Sequence, residues 1–83
     1  MTKEKIVEIV NNFLLEEVEI EEGKINNEAL LKDDLGIDSL DFVDIVVIVE
    51  RKFGFKIEPI EMAGIKTLSQ FYDYIESKVG DGI

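Results

Sequence analysis

Across residues 3–17 the apolar positions Ile6, Ile9, Val10, Phe13 and Leu14 recur at helical spacing, with Glu8, Asn12 and Glu16 turned outward. Residues 18–37 are less periodic and carry Gly23, Asn26, Asn27 and Gly36, all turn-favouring. This predicts a long loop with a short helical turn around Glu28 to Leu31. Loops of that length in a small domain often carry function. Helical spacing returns over residues 38–53, where Phe42, Ile45, Val46, Val49 and Phe53 share one face. A local conflict sits inside it, because Ile45 to Val49 is an unbroken β-branched run that favours strand. The wider period and both end signals decide for helix. Asp38 can cap its start, and Gly54 fits the left-handed position past its end with Phe55 as hydrophobic companion. Pro59 suits the first turn of a short helix that Gly64 ends. Thr67-Leu68-Ser69-Gln70 reads as a capping box. It opens a last helix with Leu68, Phe71, Tyr72, Ile75 and Val79 on one stripe and Gly80 at its end. The sum is a small all-α four-helix bundle, three main helices plus a short third one, packed near-antiparallel by bundle rules. Residues 1–83 form one domain without repeat, low-complexity segment or linker.

Composition narrows the functions open to such a bundle. The 83 residues hold Lys+Arg 9 against Asp+Glu 19, for a formal net charge of -10, and no Cys, His or Trp. Without Cys there is no disulfide framework, thiolate metal ligand or Cys nucleophile. Without His the commonest general base and metal ligand are missing. A pI near 4.3 leaves no basic face for nucleic acid or for an anionic membrane surface. It favours basic partner surfaces and fast, salt-sensitive association instead. The longest apolar run, Ile45 to Val49, is far too short for a membrane span, and the N-terminal stretch lacks the apolar core of a signal peptide. A soluble, cytoplasmic monomer is expected.

The informative segment is Asp33 to Asp44, DDLGIDSLDFVD. Gly36 permits a sharp turn. Asp38 can cap the following helix, and Asp41, three residues on, adds negative charge at its positive end. Ser39 then falls at the first helical position, its hydroxyl expected to face water. A phosphodiester there would lie beside unpaired backbone N–H groups. The nearby carboxylates oppose an anion, so a cation or an external enzyme must bring it in. Taken alone, Ser39 is an ordinary helix-start serine.

In its wider setting, Asp34-Leu35-Gly36-Ile37-Asp38-Ser39-Leu40 resembles the attachment site of acyl carrier proteins, whose pattern runs Asp-Leu-Gly-x-Asp-Ser-Leu before an acidic, apolar helix. The likeness continues through Phe53-Gly54, Ile57, Ile65-x-Thr67 and Tyr74-Ile75 and so spans most of the chain. It implies that Ser39 accepts phosphopantetheine from coenzyme A through a separate phosphopantetheinyl transferase with Mg²⁺. The arm's thiol would stand in for the absent Cys and hold an acyl group as a thioester. The protein would present that cargo to partner enzymes of fatty-acid, polyketide or related biosynthesis and would itself be no enzyme. A D-alanyl or peptidyl carrier is a variant of this reading. An unmodified acidic helical domain that docks basic protein surfaces is the alternative from another class.

On the face of the 38–53 helix opposite its core stripe lie Leu40, Asp44, Val47 and Arg51, flanked by Asp41 and Ile48. A small apolar centre with a charged rim suits a partner patch, and in the family the matching helix docks basic patches of acyl-transferring and acyl-modifying enzymes. Arg51 stands where family members usually carry an acid, and the short-helix region is poorer in acids than usual. Phe71 occupies an often small place, where an inward ring would shrink the cavity that can sheath an acyl chain. These departures suggest a specialised carrier for a short, aromatic or otherwise unusual acyl group. The carboxylates Asp33, Asp34, Asp38, Asp41 and Asp44 do not make an EF-hand, because Leu35 and Ile37, or Gly36 and Ser39, fall where ligands or the required glycine belong. No metal site is expected. Paired-carboxylate hydrolysis has no evident substrate cleft, and Tyr72 and Tyr74 read as core or rim aromatics.

Overall fold

The computed structural model describes residues 2–79, apart from the side chain of Ser39. Four helices follow in chain order: α1 (Lys3–Glu16), α2 (Ser39–Phe53), α3 (Pro59–Met62) and α4 (Leu68–Val79). A single 3₁₀ turn, Glu22–Lys24, interrupts the α1–α2 connection. Among the described residues there is no strand, only an isolated antiparallel bridge between Leu30 and Thr67. The all-α expectation therefore holds. Ile45 to Val49 is helical despite its β-branched side chains, because tertiary burial of one face outweighs a propensity cost of a few tenths of a kcal/mol per residue, on the order of ~0.5.

The helices α1 and α4 bury most of the stripe that their spacing announces. Ile6, Val10, Phe13 and Leu14 of α1 meet Leu68, Phe71, Tyr72 and Ile75 of α4 in one core, to which α2 adds Ile45, Ile48 and Val49. Thr2 caps α1 by accepting from the Lys5 N–H at 3.2 Å. Gly54 ends α2 at φ 83, a left-handed conformation that costs glycine little. Gly80, expected to end α4, lies outside the described residues.

Two expectations are corrected. There is no helical turn over Glu28 to Leu31. Instead the backbone folds back from Leu30, whose carbonyl accepts from the N–H groups of Asp34 at 2.9 Å and Leu35 at 3.0 Å. The second correction concerns α2. Phe42 and Val46, expected in the core, are only half-buried, while Ile48, expected on the partner face, is 6% exposed. The helix is rolled toward Ile45, Ile48 and Val49. The reason lies in α3, which has four residues and covers the Phe42 and Val46 side thinly.

Candidate functional site

The turn before α2 is built from the motif itself. Leu35 and Ile37 are buried at 4% and 1% exposure and pin the loop to the core. Gly36 between them takes φ 72. The Asp34 carboxylate accepts from the Leu30 N–H at 2.8 Å, and the Ile37 N–H donates to the Leu31 carbonyl at 3.0 Å. Asp34 therefore shapes the turn. Among the described residues, no group of three or more His, Cys, Asp or Glu is arranged to hold a metal ion.

The entry to α2 is a reciprocal cap. Asp38 Oδ1 accepts from the N–H groups of Leu40 and Asp41, each at 3.0 Å, while Asp41 Oδ2 accepts from the Asp38 N–H at 3.3 Å. This fixes Ser39 at the first helical position. It also corrects the expectation of unpaired N–H groups waiting for a phosphate, since those of Leu40 and Asp41 are already taken by Asp38. An anion attached at this tip would stand outside the cap. The flanking Asp38 is exposed and Leu40 is 78% exposed. The direction of the Ser39 hydroxyl lies outside what the structure describes.

Down the solvent face of α2, Leu40, Val43 and Val47 are exposed at 78%, 60% and 55%, and Ile60 of α3 is exposed at 84%. Val43 escaped the sequence reading although it lies one turn before Val47, and the same helical spacing could have found it. Ile60 had no such signal, because a four-residue helix has no period to read. Asp44 is exposed on this face and makes no ion pair among the described residues. Asp41 is half-buried and occupied by the cap. Arg51, at the far end, donates to Glu17 at 2.6 Å, and Lys52 reaches the same carboxylate at 3.9 Å. The cation that breaks the acidic pattern is thus tied to the segment that follows α1. The structure moves Ile48 off this face altogether.

Two clefts open beside the same helix, the first of them largely apolar. One of about 300 Å³ lies between α2 and α3, lined by Phe42, Val43, Val46, Pro59, Met62 and Ala63. A second of about 320 Å³ lies on the other side of Phe42 and Met62, reaching Leu31, Lys32 and Ile65. Phe42, Met62 and Ala63 are common to both. Phe71 is 2% exposed and lines neither, so its ring fills the core and takes nothing from these clefts.

Comparison with known proteins bears on the same residues. Residues 5–75 match the family described as phosphopantetheine attachment site. Over 79 residues the chain is 38% identical to an acyl carrier protein of Thermotoga maritima, covering 95% of this chain and 98% of that one. It is 40% identical over 79 residues to an acyl carrier protein of Coprothermobacter proteolyticus, covering 95% and 96% respectively.

Proposed function

The chain belongs to the acyl carrier protein family, and from that premise we propose that Ser39 is the residue to which its phosphopantetheine arm is attached. The arm, when attached, supplies a terminal thiol that holds acyl cargo as a thioester. The observation that carries the choice of Ser39 is its place at the first turn of α2, where Asp38 and Asp41 fix the helix start and leave the neighbouring positions exposed. The chain's own contribution is positional. Leu35 and Ile37 hold the turn, the reciprocal cap holds the helix end, and covalent attachment there needs no further protein contact to the phosphate. A carrier of this kind presents cargo and leaves the chemistry to its partners.

The partner surface is the face formed by Leu40, Val43, Asp44 and Val47. Apolar side chains surrounded by carboxylates fit an enzyme surface that offers an apolar pocket within a basic rim. Such a surface is expected on the phosphopantetheinyl transferase and on acyl-transferring and acyl-modifying enzymes of fatty-acid, polyketide or related pathways. Arg51 is paired to Glu17, which leaves docking to the first half of α2. The clefts flanking Phe42 and Met62 offer an acyl chain apolar walls within reach of a flexible arm rooted one helical turn away.

Incubation with coenzyme A, Mg²⁺ and a transferase, read by intact mass, tests the attachment. The native chain should gain one phosphopantetheine mass, and Ser39→Ala should gain none while keeping its helicity. A loaded Ser39→Ala chain would place the arm elsewhere. A native chain that stays bare would instead be an unmodified interaction domain.

A further inference from the structure

The short helix α3 has little to hold it. It has four residues, its start at Glu58 has no side-chain cap, and only Met62 is buried. A helix that short does not persist by its own backbone bonds. Yet Pro59, Met62 and Ala63 form one wall of the cleft against α2. What fixes that wall in place is a cluster on α4. Tyr74 donates its hydroxyl to Glu61 Oε1 at 2.8 Å, and Lys78 Nζ lies 3.4 Å from Glu61 Oε2. Lys78 also sits 5.5 Å from the centroid of the Tyr74 ring, and Phe55 meets that ring edge-on at 6.0 Å. One carboxylate on α3 is therefore gripped by two groups of α4. The same tyrosine ring abuts the segment leading into α3. Burial and the Glu61 carboxylate both hold the Tyr74 hydroxyl above its ordinary range.

We infer that Glu61, Tyr74 and Lys78 are positioning residues that latch α3 to α4 and thereby hold the α3 wall of the cleft against α2, setting how well a longer acyl chain is sheltered there. The latch rests on the reading of that cleft as the place where cargo lies. Its mechanical half does not need the arm. It is confined to the side of the molecule that α3 covers, away from the α1–α4 core.

Two measurements test it on the full chain. In the chain without its arm, Tyr74→Phe should speed amide hydrogen exchange in the α3 segment about fivefold, the order of one lost hydrogen bond, with α1 unchanged. Glu61→Gln retains an acceptor for the tyrosine and should stay closer to the native rate than Glu61→Ala. In the acyl-loaded protein, hydroxylamine should cleave an octanoyl thioester faster in Tyr74→Phe than in the native chain, with an acetyl thioester unaffected. Unchanged α3 exchange in Tyr74→Phe overturns the latch. Equal acceleration of acetyl and octanoyl cleavage also overturns it, since that is general loosening. If the native chain already cleaves both thioesters alike, the cleft does not hold cargo and the reading beneath the latch falls with it. If the native chain shelters octanoyl and Tyr74→Phe shelters it equally, the latch alone fails.

Discussion

The starts of α2 and α4 use the same local device for opposite ends. At α4, the Gln70 N–H donates to Thr67 Oγ1 at 3.2 Å, and Gln70 Oε1 accepts from Thr67 at 3.2 Å and Lys66 at 2.7 Å. At α2, Asp38 and Asp41 make the corresponding exchange. The helix starts differ in what surrounds them. Thr67 bridges to Leu30, the Leu68 N–H donates to the Ala29 carbonyl at 2.9 Å, and the Leu68 side chain is 0% exposed. Among the described residues, Asp38 and Leu40 at the start of α2 are both exposed, Leu40 at 78%. A neutral cap tied into the fold anchors α4. A cap of two carboxylates, Asp38 exposed and Asp41 half-buried, holds the start of α2. Capping chemistry alone does not distinguish a structural helix end from a functional one. The backbone hydrogen bonds that tie the cap to the rest of the fold do.

Substitutions can break or sharpen this contrast. Leu68→Ala should cost about 2–5 kcal/mol in urea unfolding, the range for truncating a buried leucine, whereas Leu40→Ala should stay within about 0.5 kcal/mol. Comparable losses at the two sites would erase the distinction. Asp44→Lys, on the exposed face, should slow transfer to a partner enzyme about tenfold at low salt with the fold intact, because a rim charge acts mainly on association rate. Unchanged kinetics at low salt would remove that face from docking. The caps themselves should weigh alike, with Asp38→Ala and Thr67→Ala each costing about 1 kcal/mol. The smallest effect is general. With a net charge of -10, the melting temperature should rise by a few degrees, ~2–4, as salt is added and self-repulsion is screened. A flat response would mean that pairs such as Glu17 with Arg51 and Lys52 already offset the repulsion.

Much of this was legible in the chain. The stripes of α1 and α4, the Thr67 to Gln70 capping box, the Asp38 cap and the left-handed Gly54 follow from short-range spacing and from residue chemistry, and the motif around Ser39 is legible through its resemblance to a family pattern. What escaped depends on contacts distant in sequence. The roll of α2 that buries Ile48 and leaves Phe42 on a cleft is set by how little α3 covers, and no period within α2 encodes it. The path of residues 18–37 is decided by the Leu30–Thr67 bridge and by Leu31 donating to the Lys66 carbonyl at 3.0 Å. Tyr74 reads from the sequence as a core or rim aromatic, and its link to Glu61 spans 13 residues that carry no helical register. Phe71 is buried in the core, but the two clefts beside α2 lie elsewhere, so it gives no support to a short cargo.

The central claim is that one serine, at the exposed start of α2, carries the arm. Peptide mapping by mass spectrometry of the protein purified from its own host addresses it most directly. The chain has serines at 39, 69 and 77. A phosphopantetheine adduct, with or without acyl cargo, is expected on the peptide containing Ser39 and on no other. An adduct on the peptide of Ser69 or Ser77, or a chain bare throughout, would contradict it.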